Sequence, residues 1–274
     1  MPSNVISLSG GKDSTAMLLK MLERGENIVD IVFFDTGWEY EQMHGHLDQL
    51  EAFIGRKITR LTPRVPFAFW FSEHKVFHRN GDLHRIGLGW PSPSRRWCTK
   101  EKIRAIHTYC NALTWQGYDV PIVQCIGFAA DELARSEEHY AKNKLAYQDF
   151  RYPLIEYGMT EADCLAYCKK RGFHWGGLYN VFSRVSCFCC PLQSEQNLED
   201  TRNIFPDLWR KMLEMEAMLP AGDIGRRYKD CVTLTQYEER FAANADFEAR
   251  RGVLPGVVIP KKSLELDKGA VSNG

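Results

Sequence analysis

The sequence predicts a doubly wound α/β fold: five parallel strands with helices between them, followed by a helical C-terminal extension. Three observations predict it. Short apolar runs alternate with amphipathic stretches from the N-terminus to about residue 157. A Ser-Gly-Gly turn follows the first apolar run, between a strand-like and a helix-like segment. From about residue 196 the pattern is helical only. Strands alternating with helices argue for a parallel sheet covered on both faces.

The elements follow in order. "NVISL" reads as the first strand, and "KDSTAMLLKMLERG" as a helix stopped by Gly25. "NIVDIVFFDTG" is a second buried strand ending in Asp35, Thr36 and Gly37. "EYEQMHGHLDQLEAFIG" is the second helix and "KITRL" the third strand. "VPIVQCIGF" and "FRYPLIEY" read as strands four and five. In "MTEADCLAYCKKRG", Thr160 is a candidate N-cap, and Cys164 and Cys168 share one helix face as small core residues. Residues 62–96 interrupt the alternation with aromatics, His and Arg among Gly and Pro. They read either as a loop-rich insertion over the site or as a core helix at 66–77 with a surface loop. "FPDLWRKMLEMEAM" is the clearest helix of the extension, and the tail "KKSLELDKGAVSNG" is expected to be mobile. The expected division is 1–195 for the nucleotide domain and 196–274 for the extension.

The charge balance is 35 basic against 35 acidic residues, so any nucleic-acid contact must come from a local patch or through partner proteins. Arg95, Arg96, Lys100, Lys102 and Arg104 make such a patch; a solvated helix face with one phosphate ligand explains them equally well. No run of 18 apolar residues predicts a membrane span. The opening "MPSNVISLSGG" reads as no secretion signal, and the expected location is cytoplasmic. In that compartment the nine cysteines are read as thiols or metal ligands.

The Ser-Gly-Gly turn carries the first chemistry. After a strand, Gly10 and Gly11 let the backbone turn tightly and approach an anion. The following helix turns its N–H groups and positive dipole end toward a phosphate. Lys12 adds a charge; Ser7, Ser9, Ser14 and Thr15 add hydroxyl donors. In such sheets ligands collect beyond the carboxyl ends of the strands, where the loops at Ser9, Asp35 and Gly127 would lie. The loop is not a Walker A motif: Ile6 holds the first Gly position and Asp13 follows Lys12.

"VSCFCCPLQS" carries the second. Cys187 and Cys190 have the C-x-x-C spacing at which two thiolates grip one metal or cluster, and Pro191 follows as in cluster-binding runs. An extended C-x-C-C run points alternate sulfurs to opposite sides, so a shared site requires a turn. Cys110, Cys125 and Cys231 are isolated and read as structural.

The string Ser9-Gly10-Gly11-Lys12-Asp13-Ser14 matches SGGxDS, the pyrophosphate-loop signature of the N-type ATP pyrophosphatases. "FFDTGWEYEQ" resembles the second-strand motif of the phosphoadenosine-phosphosulfate reductase superfamily, and "RRWCTKEKI" its R-W-C-T-x-x-x-K element. "IGFAADELAR" is similar to its G-x-R-x-x-E-S-x-x-R element at Gly127, Glu132 and Arg135, with Ala129 and Leu133 departing from it. The chain thus resembles this PP-loop superfamily over roughly residues 4–195, most like the ATP pyrophosphatases of DNA phosphorothioation systems.

The resemblance implies an adenine nucleotide α-hydrolase-like fold and cleavage of ATP between the α- and β-phosphates. Backbone N–H groups near Gly10 and Gly11, with Lys12, would hold the phosphates. Mg²⁺ would bind near Asp13, and Ser14 completes the catalytic set. Phe34, Asp35, Thr36 and Gly127 would flank the adenosine, with Arg96 and Arg135 as further nucleotide ligands. Cys98, Cys187 and Cys190 would hold a [4Fe–4S] cluster, or Zn²⁺ in the alternative, with Cys189 as a fourth candidate. The reaction implied is adenylation of an acceptor for sulfur insertion, into DNA or tRNA, with a cysteine desulfurase as sulfur donor. A sulfonucleotide reductase is the alternative, although the Cys-Gly-Leu-His element of those enzymes is not found in these residues. A non-catalytic nucleotide-binding regulator is a third reading.

Overall fold

The computed structural model describes residues 3–143 and 148–250. The expected mobile tail at 261–274 lies outside them. The chain divides into two compact units: Met1–Pro63 with Thr99–Trp175, and Arg64–Cys98 with the residues from Gly176 onward. The second unit thus takes in a segment from the middle of the chain as well as its C-terminal part.

The first unit is built on one parallel sheet. Its strands are β1 (Ser3–Leu8), β2 (Ile28–Phe34), β3 (Thr59–Leu61), β4 (Ile122–Ile126) and β5 (Gln148–Arg151). The order is β3-β2-β1-β4-β5, and all four pairings are parallel. Val5, Ile6, Leu8, Ile31, Val32, Phe33 and Phe34 are all buried, as expected of strands covered on both faces. The predicted doubly wound α/β fold of five parallel strands is present, with helices on both sides of the sheet.

The strand order reverses at β1. The chain leaves β1 toward β2 through α1 (Lys12–Glu23), while β4 lies on the other side of β1. Ser7 sits between Val32 and Ile126 in the register, so the ends of β1, β2 and β4 come out together. That is the switch point at which open α/β sheets bind ligands. Four further helices complete the unit's larger elements: α2 (Glu41–Ile54), α3 (Trp97–Trp115, from its third residue), α4 (Leu133–Lys142) and α5 (Glu161–Lys169). Gly55 closes α2 at φ 65°, in the left-handed region where glycine is favoured. Thr160 caps α5 by accepting from the Asp163 N–H at 3.2 Å, as predicted.

One strand is shorter than expected. β5 ends at Arg151, and Pro153–Glu156 form a helical turn. Pro153 donates no N–H to a ladder and suits the first turn of a helix.

The second unit gathers residues 64–98 with the C-terminal helices. Phe67–Ser72 is a short helix with Phe67 and Phe71 buried. An antiparallel pair, Lys75–Phe77 with Leu83–Ile86, follows where the helical alternative reached to residue 77. Trp90 is fully buried between Phe71, with ring centroids 4.7 Å apart, and Tyr228, at 5.1 Å. A Cβ on Gly89 would lie 2.3 Å from the Gly225 Cα, so the two backbones meet only because glycine is present. Helices Glu195–Ile204, Pro206–Ala217 and Leu234–Arg250 form the extension. The fully buried Glu216 accepts from the Leu234 and Thr235 N–H groups at 2.6 and 3.2 Å. A carboxylate at a helix N-terminus is favoured by its unpaired donors and dipole.

Candidate nucleotide site of the first unit

The site begins where β1 ends. Gly10 takes φ 79°, and a Cβ there would stand 2.4 Å from the Met43 sulfur. The conformation favours glycine, and any Cβ would have to push the flexible Met43 side chain aside. Gly11 is the N-cap of α1 and brings no side chain to it, so the helix start is shaped for an outside acceptor. Around this turn the hydroxyls lock one another. Ser14 Oγ accepts from the Ser9 N–H at 3.1 Å, lies 2.9 Å from Ser9 Oγ and donates to the Gly11 carbonyl at 3.2 Å. Ser14 is buried and shapes the loop, Ser9 is exposed, and Ser7 is half-buried on β1.

The loop is braced from behind by residues that sequence reasoning passed over. Trp175 Nε1 donates to the Gly10 carbonyl at 2.7 Å. His46 stacks on Trp175, with ring centroids 4.6 Å apart, and its Nε2 lies 3.0 Å from Thr15 Oγ1. Burial pushes the His46 imidazole down to about 3, so it is neutral at physiological pH. No local signal marks these residues, because their partners lie 31 and 165 positions away.

Lys12 departs from expectation. A lysine that holds a phosphate would lie at the surface of a cleft, but Lys12 is 5% exposed. Its Nζ pairs with Asp13 Oδ2 at 3.0 Å and Glu161 Oε2 at 2.5 Å. The physical reason is that α5 packs on α1 and brings Glu161 over the first turn. Asp13 is held above the usual carboxylate range, first by burial, against the pull of Lys12, with Glu161 and Glu132 adding like charge. Its Oδ1 is buried and has no protein partner. An unpartnered carboxylate oxygen beside a phosphate-type turn suits Mg²⁺, which binds through few carboxylates and keeps its waters.

The loop after β4 closes the site from the other side of the switch point. A Cβ on Gly127 would fall 2.9 Å from Ser14 N and 3.0 Å from Ser14 Cα. Gly127 thus allows this loop to lie on the first turn of α1. The nearby Arg135 pairs with Glu132 at 2.5 Å and lies 4.5 Å over the Phe128 ring. The buried Ala129, one of the departures from the superfamily element, follows Phe128 in the chain.

After β2 the chain makes a second polar turn. Phe34 is buried, so among the proposed adenosine residues it contributes to the core. Asp35 and Thr36 are half-buried. Thr36 donates its N–H and Oγ1 to Glu39 at 3.1 and 2.7 Å, and the Gly37 N–H donates to Asp35 Oδ1 at 2.8 Å. Glu39 and His44 were missed; the spacing Asp35-x₃-Glu39-x₄-His44 was the signal that could have found them.

The remaining predicted residues belong to the second unit. Arg96 is exposed; Cys98 is the second residue of α3, next to Trp97, whose Nε1 donates to the Gly89 carbonyl at 3.1 Å. The Cys187–Cys190 segment turns, with the Cys190 N–H donating to the Cys187 carbonyl at 3.1 Å. Phe188 and Cys189 are buried at this turn, while Cys98, Cys187 and Cys190 are each partly exposed. The turn puts Cys187 and Cys190 at the two ends of a C-x-x-C segment, the spacing that thiolate-held zinc and iron–sulfur sites use. Cys164 and Cys168 are fully buried on α5, as the core reading expects, and burial raises the Cys168 thiol to about 12. Cys110 and Cys125 are also buried, with their thiols pushed up to about 12, whereas Cys231 is exposed in a turn at φ 65°.

A glycine-rich turn at the switch point of a parallel sheet, opening an uncapped helix, defines a nucleotide-binding α/β domain. The phosphoadenosine phosphosulfate reductase domain family matches residues 3–193, well over half the chain, and the protein belongs to that family. That family is one of nucleotide-utilising, sulfur-related enzymes. Two relatives are similar at lower identity. An uncharacterized protein of Methanocaldococcus jannaschii is 24% identical over 212 residues, covering 76% of this chain but 40% of its own length. An uncharacterized 37.8 kDa protein of Escherichia phage 186 is 25% identical over 261 residues, covering 80% of this chain and 75% of its own. No helix among the described residues is long and apolar enough to cross a membrane.

Proposed function

We propose that the protein is an ATP pyrophosphatase that adenylates an acceptor for sulfur insertion, in DNA phosphorothioation or tRNA thiolation. The observation that carries this reading is the Ser9–Ser14 turn, with Gly127 lying on the first turn of α1. An acceptor oxygen attacks the α-phosphorus, the bond from that phosphorus to the bridging oxygen breaks, and pyrophosphate leaves. Charge grows on the phosphate oxygens, and donors aimed at it lower the barrier. Gly11 and the first turn of α1 supply N–H groups, and the Lys12 ammonium supplies the cation. Binding the triphosphate would compete with Asp13 and Glu161 for that ammonium. Asp13 would then be released to hold Mg²⁺ through its unpartnered oxygen. A sulfur nucleophile afterwards displaces AMP from the acceptor.

Cys98, Cys187 and Cys190 would hold a [4Fe–4S] cluster or zinc, which when bound would hold sulfur or brace the second unit. A cysteine desulfurase is the sulfur donor this scheme needs, and the nucleic acid would arrive through partner proteins. A sulfonucleotide reductase is the second reading, favoured by the family description itself. The test is to incubate the protein with ATP labelled at the α- and γ-positions. Release of AMP and pyrophosphate supports the first reading. Reduction of an adenylyl sulfate with no ATP turnover supports the second, and absence of both reactions leaves a binding protein.

A further inference from the structure

Asp35, Glu39 and His44 stand together at the carboxyl end of β2, in the first unit. One ligand atom from each lies within 4.8 Å of the other two, and all three residues are half-buried. They come from two elements: Asp35 and Glu39 from the turn after β2, and His44 from the first turns of α2. The turn fixes the carboxylates. Thr36 and Trp38 direct their N–H groups at Glu39, each at 3.1 Å, and Gly37 holds Asp35 Oδ1. The Asp35 Oδ2 to His44 Nδ1 distance is 3.9 Å. That is too long for a hydrogen bond. It is inside the ~4.2 Å that two opposed ligands span on bonds of about 2.1 Å to one ion. Burial first, and then the facing Asp35, push the Glu39 carboxyl up despite Thr36 and Lys102. A cation between the two carboxylates relieves that opposition.

We propose that Asp35, Glu39 and His44 bind a divalent first-row transition-metal ion such as Mn²⁺ or Zn²⁺. Two carboxylate oxygens and an imidazole nitrogen suit these ions, whereas an all-oxygen shell suits Mg²⁺. Three protein ligands leave coordination positions for water or for a group on a bound substrate. The inference stands apart from the reaction proposed above, because it requires no nucleotide.

The test uses the full chain, stripped of metal and titrated with Mn²⁺ alone, which thiolates do not favour. Electron paramagnetic resonance counts the bound ion, and spin-echo modulation detects a directly bonded nitrogen. The parent is expected to bind one Mn²⁺ with a nitrogen coupling. His44→Ala and His44→Gln should lose that coupling and weaken binding at least tenfold; Glu39→Gln should weaken it similarly. Circular dichroism is expected to match the parent, since His44 lies at a half-exposed position. Asp13→Asn should keep the nitrogen coupling, which separates this site from the nucleotide's own cation. A parent without nitrogen coupling, or His44 variants that retain both coupling and affinity, overturns the proposal.

Discussion

Removing the Lys12 ammonium tests the site most directly. Lys12→Ala deletes the cation between Asp13 and Glu161, at 3.0 and 2.5 Å. Turnover should fall at least about a hundredfold, the scale of about 2.7 kcal/mol for losing one transition-state donor. Stability should fall as well, because the side chain is buried and two carboxylates are left facing each other. Breaking a fully buried pair costs about 3–5 kcal/mol. Here the carboxylates keep 24% and 46% of their exposure, so solvent screening reduces the expected loss to about 1–2 kcal/mol. The sign with pH follows from Asp13. The folded pKa of Asp13 is already raised, chiefly by burial, and losing the opposing pull of Lys12 raises it further. A raised carboxyl favours the folded state at low pH, and that contribution is lost as pH rises through the folded value. The variant's deficit should therefore be largest near neutrality and shrink as the medium is acidified. Pyrophosphate release, and urea melts near pH 5 and pH 8, read the two effects. Lys12→Met keeps most of the packing and should reproduce the kinetic loss. A variant that releases pyrophosphate at the parent rate, or a stability deficit equal at both pH values, would refute the reasoning.

Gly127→Ala forces a Cβ to 2.9 Å from Ser14 N, which is backbone and cannot swing aside; a loss of about 1–3 kcal/mol and weakened ATP binding are expected by melting and calorimetry. Gly10→Ala meets the flexible Met43 side chain instead, so Met43→Ala should recover part of its loss while leaving the cost of φ 79°. His46, lowered from 6.5 to about 3, stabilises the fold while neutral, and that contribution is lost as pH falls from 6.5 toward about 3. His46→Phe keeps a ring on Trp175 and should show a shallower acid loss in melts across that range. Serine at Cys98, Cys187 or Cys190 should abolish brown colour and bound iron in anaerobically purified protein, whereas Cys189→Ser, at a buried position, should chiefly lower the melting temperature.

The sequence by itself determined the local events. The apolar runs marked β1, β2 and β4, because strands buried on both faces must be apolar throughout. Gly10 and Gly11 before Lys12 marked the loop and the helix it opens, because a tight turn and an uncapped helix start are properties of adjacent residues. Reading "FRYPLIEY" as a strand through residue 157 overlooks Pro153, whose missing N–H is a local fact that ends the strand. Tertiary structure alone decided the rest. The β3-β2-β1-β4-β5 order set Gly127 against Ser14, and the packing of α5 on α1 brought Glu161 to Lys12 across 149 positions. The same kind of long-range closure put His46 on Trp175 and joined residues 64–98 to the C-terminal helices. Periodicity reports which face of an element is buried, not which distant element covers it. Lys12 could be recognised from its neighbours as a phosphate ligand, but its burial between two carboxylates depended on a helix that the loop sequence does not encode.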